Sequence, residues 1–388
     1  MTTQPTDAGA LTGLTVLELG DEATQSCGKF FADMGATVVK IEPPEGSPSR
    51  HRGPFKDGKP DPNASIYFWT FNTSKDSITL DLGREEDRNT VRTLAARADI
   101  LLEGYAPGYL DSIGLGYEQL SAQNPRLIVT SVTPFGQTGP LKDWKSTDMV
   151  NLAMGGAMWN LGYDDPDTPP LVPQGEFSYQ FTGLWAGIGT LAALMARRES
   201  GEGQHVDVSL QEACAFMVHC YNTVGYEYTG NVTHRHDIAP TVMSKDGKRI
   251  VPQILNVTPD RWIAFRDWIK ERGIGPELHE MDAKTLEANM PKVREAVQEI
   301  GNRMTAREMI NLGQEFGFTW AAVNAPEELM EDEQLNFRGF FPKIEHPELG
   351  ASYTYAGAPA LWSEAGWRIR RRPPLLGEDN AKWGVAGR

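Results

Sequence analysis

The chain opens with apolar runs that alternate with amphipathic segments. Leu14 to Leu19 is a short, mostly apolar run, and the helical pattern that follows it ends at Gly35. A second apolar run, Ala36 to Ile41, is closed by two prolines. Strand, helix and strand within about 30 residues predict a βαβ unit that contains a parallel pair of strands.

The same alternation continues to about residue 140. Three further runs predict strands: Ser77 to Leu82, Ile100 to Glu103 and Leu127 to Val132. The segments between them predict helices at Arg84 to Arg97 and Tyr117 to Ala122. This part of the chain therefore predicts an α/β sheet domain.

Beyond about residue 145 the pattern changes to long helical stretches. Residues 178–230 predict two helices, separated by a glycine-rich turn and a short strand-like run at His205 to Val208. The following segment, to about residue 330, is more charged and predicts a second, smaller domain. Its predicted elements are a strand at Arg249 to Ile254, a helix at Asp260 to Glu271 and helical runs through Glu287 to Gly313.

One segment raises the question of a membrane span. Phe177 to Ala196 lacks charge and is about as long as a membrane-spanning helix. It also contains polar side chains and three glycines, of which Gly183 and Gly187 share one helix face. These features favour a buried helix with a close-packed neighbour, and a membrane span stays as the alternative.

The charge and cysteine content narrow the choice of environment. The 388 residues contain 37 Lys and Arg against 52 Asp and Glu, for a net charge of -15. This acidic balance argues against nucleic-acid or anionic-membrane binding, both of which need clustered positive charge. The three cysteines, Cys27, Cys214 and Cys220, are an odd number without a CxxC pair and indicate no disulfide framework, and the first ten residues show no signal peptide. We therefore expect a cytoplasmic protein.

Two familiar site types are disfavoured by the residues themselves. Glu42 follows the first strand at a spacing where an acidic group could bind a ribose, but the preceding loop, Gly20 to Ala23, lacks the glycines of a phosphate-binding turn. His234 and His236 are two apart and could face one metal, but no third ligand lies close in sequence. We therefore expect neither a nicotinamide or flavin site nor a metal site.

Several local runs are more distinctive than these features. In chain order they are Phe71 to Leu82, Glu103 to Gly108, Asn124 to Ile128, Phe135 to Pro140, Arg197 to Leu210 and Pro374 to Glu378. Taken together, from about Leu14 to Gly377, they resemble the class III (CaiB/BaiF-type) CoA-transferases. The resemblance implies an α/β fold with a Rossmann-like large domain formed by both chain ends, a smaller inserted α+β domain and an interlocked dimer. The corresponding boundaries are 1–225 and 331–388 for the large domain and 226–330 for the small one.

The resemblance also implies a mechanism and a nucleophile. Family members use an aspartate to attack the CoA thioester, which forms an acyl anhydride on the enzyme and then an enzyme thioester. The corresponding place in this chain is occupied by Glu176, which we expect to be the catalytic residue. Two alternatives remain: the alignment could place Tyr179 opposite the nucleophile, or Glu176 could be a carboxylate at a helix N-terminus without a covalent role.

The family's CoA path implies a further set of positions. They are Gln25, Asn72, Lys75, Gly104, Tyr105, Pro107, Gln137 and Lys142. CoA and acyl-CoA are expected as substrates, and no tightly bound cofactor is implied. Pro43 and Ser112 stand where some members have basic groups for the CoA phosphates. The remaining candidates for that positive charge are Lys75, Lys142, Lys145 and the run Arg368 to Arg372.

The resemblance leaves three functions open. The first is a CoA-transferase that moves CoA between an acyl-CoA and a small carboxylic acid. The second is the non-nucleophilic subunit of a heteromeric enzyme, for example of the benzylsuccinate type, so that the partner is either an identical or a paralogous chain. The third, an acyl-CoA racemase, is disfavoured because Thr147 stands at the position of the histidine base.

Overall fold

The computed structural model describes residues 8–162, 167–218, 223–231, 241–254 and 257–385. The chain divides into two compact units. Unit 1 consists of Met1–Leu161, Leu171–Thr233 and Gln334–Arg388, and unit 2 of Gly162–Pro170 and His234–Glu333.

Unit 1 is built on a six-stranded parallel sheet. Its strands are β1 (Thr15–Leu19), β2 (Thr37–Glu42), β3 (Asp76–Thr79), β4 (Ile100–Glu103), β5 (Ile128–Thr133) and β6 (His205–Ser209). Their spatial order is β3-β2-β1-β4-β5-β6, and every neighbouring pair runs parallel. The predicted βαβ unit and the α/β sheet are thereby confirmed. The strand order reverses at β1: β2 and β3 lie on one side of it, and β4, β5 and β6 lie on the other. A crevice therefore opens between the loops that follow β1 and β4.

Both faces of the sheet are covered, as the continuous apolar runs predict. Along β1, Val16 contributes to a core with Phe31 and Ala186 on one face of the sheet, and Leu17 contributes to a second core with Val91. The helices of this unit that precede residue 234 are α1 (Gln25–Asp33), α2 (Ile66–Phe71), α3 (Glu85–Ala95), α4 (Tyr109–Ser112), α5 (Tyr117–Ser121), α6 (Asp148–Met154), α7 (Phe177–Ser200), α8 (Leu210–Met217) and α9 (Thr223–Thr229). Three short 3-10 segments accompany them, Pro48–His51, Lys56–Gly58 and Ala157–Asn160.

Strand β3 ends earlier than its apolar pattern predicts. The carboxylate of Asp81 accepts a hydrogen bond from the backbone N–H of Gly83 at 2.9 Å, which turns the chain. The N–H of Asp81 donates to Asp87 at 2.8 Å. The N–H of Leu80 still donates to the carbonyl of Glu42 on β2 at 2.8 Å, and the local bonds replace sheet pairing from Asp81 onward, just after the strand ends at Thr79.

Helix α7 contains the segment considered as a membrane span. A Cβ atom on Gly183 would lie 2.0 Å from Ser26 Oγ of α1, so the two helices meet closely at this glycine. The predicted close neighbour is confirmed. Another part of the α7 surface keeps Leu184, Ile188 and Met195 exposed, so the helix is buried on one side only. Within the part of the chain that the structure describes, no helix combines the length and apolar character that a membrane crossing requires.

Unit 2 has its own apolar core. An antiparallel sheet of β7 (Val242–Met243), β8 (Arg249–Gln253) and β9 (Thr319–Ala322) is accompanied by α10 (Pro259–Glu271), α11 (Met290–Gly301), α12 (Ala306–Glu315) and α13 (Pro326–Glu331). Short 3-10 segments lie at Pro276–Leu278, Ala283–Thr285 and Glu287–Asn289. Trp262, Phe265 and Ile269 of α10 are fully buried in this core. The predicted strand and the predicted helix of this segment are confirmed, whereas the helical run after residue 287 is interrupted where Thr305 and Glu308 form a capping box.

The C-terminal segment of unit 1 begins with elements that the sequence patterns did not predict. After α14 (Glu333–Phe337), β10 (Lys343–His346) and β11 (Ala351–Thr354) form an antiparallel hairpin, with 3-10 turns at Pro347–Leu349 and Ala381–Trp383. The last described residues then run beside the edge strand β3, where the N–H of Asp379 donates to the carbonyl of Ser77 at 3.0 Å. This contact brings the end of the described chain to the sheet.

The structure describes two of the three cysteines and neither histidine of the candidate metal pair. Cys27 and Cys214 are buried free thiols. Cys220 and the histidine pair of His234 and His236 lie outside the described residues.

Candidate active site

Glu176 lies at the residue that begins helix α7. Its backbone is in the left-handed region, with φ 59° and ψ 48°, and Gly175 before it has φ 90°. For a residue other than glycine this conformation costs about 1–2 kcal/mol, and such strain concentrates at functional sites. The Glu176 side chain makes no capping hydrogen bond. Instead Asp148 accepts the N–H of Ser178 at 2.7 Å, which leaves the Glu176 carboxylate available for other contacts.

The partner of Glu176 is Arg52, which follows the 3-10 turn at Pro48–His51. One guanidinium nitrogen donates to Glu176 Oε1, and the other donates to Glu22 Oε1 at 2.5 Å. The guanidinium carbon lies 4.4 Å from the ring centroid of Tyr67. The hydrogen bond with Glu176 raises the pKa of Arg52 further above its ordinary value, at which the guanidinium is already charged. The side chain of Glu176 is 19% exposed and that of Arg52 40%, so solutes can reach the pair.

A cavity of about 470 Å³ opens beside this pair. Its lining includes Glu22, Arg52, Thr147, Asp148, Glu176 and Tyr179. Burial raises the pKa of Tyr179 to about 12, so its phenol is neutral and a poor nucleophile at physiological pH. Burial likewise raises the pKa of Glu22, against the lowering effect of Arg52. Arg52 therefore contacts two of the lining carboxylates, Glu22 and Glu176, and of these Glu176 is the one that begins helix α7.

Three of the expected CoA-path residues form a buried network behind this site. The Gln25 amide donates to the Tyr67 hydroxyl at 3.1 Å, and the Asn72 amide donates to Gln25 Oε1 at 3.4 Å. Lys75 donates to Asn72 Oδ1 at 2.9 Å. The Tyr67 ring also lies against the Arg52 guanidinium, so the network is linked to the Arg52–Glu176 pair through Tyr67.

Lys75 itself has no side-chain exposure. Its three donors are used by Glu18 at 2.6 Å, the Gln25 carbonyl at 2.9 Å and Asn72. Burial lowers the pKa of Lys75 to about 8, whereas Lys40 shares the same Glu18 at 2.9 Å. Burial alone would raise the pKa of Glu18, but the two lysines outweigh it and lower that pKa. This lysine therefore has a structural role: it joins Glu18 of β1 to Gln25 at the start of α1 and to Asn72.

Gly104 marks the crevice between the loops after β1 and β4. Its N–H donates to the carbonyl of Leu19 at 3.1 Å, and a Cβ atom on Gly104 would lie 3.1 Å from the Cβ of Ala23. Gly20, with φ 144°, approaches Gly104 from the other loop, because a Cβ there would lie 3.0 Å from the Gly104 nitrogen. Tyr105 follows and packs against Tyr109 at 5.0 Å between ring centroids.

The remaining predicted residues line a second cavity, of about 320 Å³. Pro107, Gln137 and Lys142 lie on its wall together with Glu103 and His205. The Gln137 amide lies 3.5 Å from a Glu103 oxygen, and its backbone N–H donates to Asp207. Lys142 is exposed and Pro107 is half-buried. Gln137 and Lys142 are thus brought together, away from the buried group of Gln25, Asn72 and Lys75.

The expected positive charge is largely neutralised. Arg371 pairs with Asp76 and Asp379, and Arg372 pairs with Glu378 at 2.9 Å. These ion pairs attach the C-terminal segment within unit 1. Lys142 and Lys145 are exposed and remain the candidates for contact with phosphate.

Comparison with known sequences decides the family. The profile of CoA-transferase family III matches residues 11–380. This chain belongs to CoA-transferase family III. The resemblance that its motifs indicated is thereby confirmed, and the match extends over both units.

Two relatives illustrate the range of the family. Succinyl-CoA:(R)-benzylsuccinate CoA-transferase subunit BbsE of Thauera aromatica is 32% identical over 375 residues, covering 94% of this chain and 90% of the relative. Succinate–glutarate CoA-transferase of Agrobacterium fabrum is 30% identical over 397 residues, covering 98% and 96%. Among solved structures, a CaiB/BaiF family protein from Brucella suis has a TM-score of 0.83 at 29% identity, covering 97% of this chain and 98% of that one.

Several residues of the candidate site were missed by the sequence patterns. Arg52 lies in a loop rich in proline and glycine, where a single basic residue carries no signal. Its contact with Glu176 joins positions 124 residues apart. Tyr67 and Asp148 likewise act through partners on other elements. Co-variation between distant positions is the one sequence signal that reports such contacts.

Proposed function

We propose that this protein transfers CoA between an acyl-CoA and a carboxylic acid, with Glu176 as the acyl acceptor. The observation that carries the proposal is the Glu176 carboxylate itself. It is half-buried, strained at the start of α7, held by Arg52 and open to a cavity. A carboxylate can form the mixed anhydride that acyl transfer to a second acid requires.

Four steps complete the proposed reaction. The Glu176 carboxylate attacks the thioester carbonyl of the donor, which forms a glutamyl acyl anhydride and releases CoA thiolate. The thiolate attacks the glutamyl carbonyl, which forms a Glu176–CoA thioester and releases the donor acid. The acceptor carboxylate attacks this thioester, which forms a new anhydride and again releases the thiolate. The thiolate finally attacks the acceptor's carbonyl, which yields the new acyl-CoA and free Glu176.

The proposed path of CoA follows the carboxyl ends of the strands. Ligands of open α/β sheets bind in the crevice where strand order reverses, which in this protein is the close contact of Gly20 and Gly104. The cavity lined by Pro107, Gln137 and Lys142 continues from the loop after β4. The names of the two relatives given above include succinyl-CoA, benzylsuccinate, succinate and glutarate, which supports a dicarboxylic acid as one substrate.

A trapping experiment tests the covalent role of Glu176. The protein is incubated with succinyl-CoA and hydroxylamine, and its peptides are analysed by mass spectrometry. We expect a hydroxamate on Glu176 in the wild type, none in E176Q, and reduced labelling in E176D because the shorter side chain misplaces the nucleophile. E199Q, a substitution of an exposed glutamate on the same helix, serves as the matched control. Unmodified Glu176 in a preparation that turns over acyl-CoA would refute the proposal.

A second candidate function has one observation in its favour. The relative from Thauera aromatica is named as a subunit, so this chain would be the non-nucleophilic component of a heteromeric enzyme. In that case Arg52 and Glu176 form a structural ion pair. Measurement of solution mass and activity for the chain alone separates the two functions. An active homo-oligomer excludes the second candidate, whereas an inactive chain that a paralogue activates without any hydroxamate on Glu176 excludes the first.

A further inference from the structure

Two of the four proposed steps take place at the carbonyl carbon of Glu176 itself. These are the attack of CoA thiolate on the anhydride and the attack of the acceptor carboxylate on the enzyme thioester. In each, negative charge develops on the remaining carbonyl oxygen of the glutamyl group. An enzyme that stabilises this charge places a donor at that oxygen before the reaction begins.

We propose that Arg52 is a catalytic residue that stabilises this oxyanion. The inference rests on the proposed function of Glu176. Arg52 already donates a hydrogen bond to Glu176 Oε1, the oxygen that stays on the carbonyl when Oε2 is the attacking atom. Attack on the carbonyl carbon converts this oxygen into an oxyanion without any movement of the guanidinium.

The position of Arg52 does not depend on the charge of Glu176. Glu22 accepts from its second nitrogen at 2.5 Å, and Tyr67 lies beneath the guanidinium at 4.4 Å. The Ser65 hydroxyl donates to the Arg52 carbonyl at 2.6 Å and fixes the backbone. When Glu176 becomes a neutral anhydride or thioester, these three contacts remain. The donor therefore stays in place during the steps in which Glu176 carries no charge.

In the other two steps negative charge develops on the substrate's acyl oxygen rather than on Glu176 Oε1. In the first and the last, attack occurs at the acyl carbon of the substrate, and Glu176 is the nucleophile or the leaving group. The contact that Arg52 makes is with Glu176 Oε1, and the proposal assigns it no role at the acyl carbonyl in these steps. Loss of Arg52 removes a partner from the carboxylate and leaves acylation of Glu176 possible. The proposal therefore predicts that Arg52 is needed for the two steps at the glutamyl carbonyl and not for the two steps at the substrate's acyl carbonyl.

Rapid quenching with succinyl-CoA as the sole substrate tests this separation. Intact-protein mass spectrometry distinguishes a succinyl adduct from a CoA adduct. We expect the wild type to accumulate Glu176–CoA. In R52M the rate of CoA-adduct formation should fall by roughly 10²–10³-fold, the usual effect of losing one oxyanion donor, while acylation with release of CoA persists. R52K keeps a charge without the planar fork and should lose less than R52M.

Two control samples distinguish loss of the oxyanion donor from damage to the fold of the site. R84M removes an exposed arginine at the start of α3 and should form the CoA adduct at the wild-type rate. In R52A, added guanidinium should restore CoA-adduct formation, which a misfolded site would not allow. The proposal is overturned if R52M forms Glu176–CoA as fast as the wild type, or if guanidinium leaves R52A unchanged. Absence of both adducts in the wild type would instead overturn the proposed role of Glu176.

Discussion

Glu103 shows how burial changes the chemistry of a single residue. It ends strand β4 as an almost fully buried carboxylate that accepts the N–H of Tyr105 at 2.9 Å. Burial raises its pKa from the ordinary value of 4.5 to about 7, against the lowering effect of the bonds from Ser131 and Tyr105. Near neutral pH the group is therefore partly protonated, which is unusual for a glutamate in a cavity wall.

This pKa predicts a pH-dependent loss of stability. In the folded protein Glu103 keeps its proton up to about pH 7, whereas in the unfolded chain it loses the proton near 4.5. The folded state is therefore penalised progressively as pH rises from 4.5 to 7, and fully above 7, by about 3 kcal/mol. E103Q should match the wild type in urea unfolding at pH 4.5 or below and should be more stable at pH 8. An equal difference at both pH values would contradict this.

At the scale of elements, the packing of α7 on α1 depends on one glycine. A Cβ atom on Gly183 would fall 2.0 Å from Ser26 Oγ and 3.2 Å from the Cys27 nitrogen, so backbone as well as side chain obstructs it. A Cβ on Gly187, one turn later, would lie 3.5 Å from the ring of Phe30, an ordinary contact. Glycine is therefore required at position 183 for the close approach of α1, whereas position 187 has room for a side-chain methyl group.

Alanine substitutions at the two glycines should separate these needs. G183A should destabilise the protein by about 1–3 kcal/mol, the usual cost of overpacking, because α1 must move away. G187A should be neutral or stabilise by up to about 1 kcal/mol, because alanine favours the helix more than glycine does. Thermal unfolding of the two variants gives the comparison. Equal melting temperatures would show that α1 yields without cost.

For unit 1 as a whole, the C-terminal segment closes the edge of the parallel sheet. Asp379 accepts the N–H of Ser77 at 2.9 Å and returns its own N–H to the Ser77 carbonyl. Asn380 accepts the N–H of Thr79 at 2.9 Å. Arg371 adds an ion pair to Asp379 at 3.1 Å. Backbone groups of β3 that an edge strand would leave open are thereby paired, which removes a template for aggregation.

Loss of the Asp379 side chain should therefore affect stability and solubility together. D379A leaves the buried N–H of Ser77 without its acceptor and removes one of the carboxylates that pair with Arg371, which should cost about 1–3 kcal/mol. D267A, in an exposed pair with Arg266, should change stability by less than about 0.5 kcal/mol. Urea unfolding measures the first effect, and light scattering on warming measures the exposed strand edge. A D379A protein as stable as D267A would show that the tail does not support the sheet.

The patterns of apolar residues were a good guide to the central sheet and a poor one elsewhere. The runs at β1, β2, β4 and β5 were predicted within a residue or two, because strands buried on both faces are continuously apolar. The hairpin of β10 and β11 was missed, since its exposed and half-buried residues alternate in a segment rich in proline and glycine.

The sequence by itself determined the parallel α/β sheet, the family and the position of Glu176 before a long helix. These features rest on local spacing and on ordered motifs, which are readable along the chain. Only the tertiary structure decided that Arg52 holds Glu176, that Lys75 is buried, and that the pKa of Glu103 is raised to about 7. The reason is physical. A side chain's charge and accessibility depend on burial and on partners that folding brings from distant positions, 57 residues apart for Lys75 and Glu18.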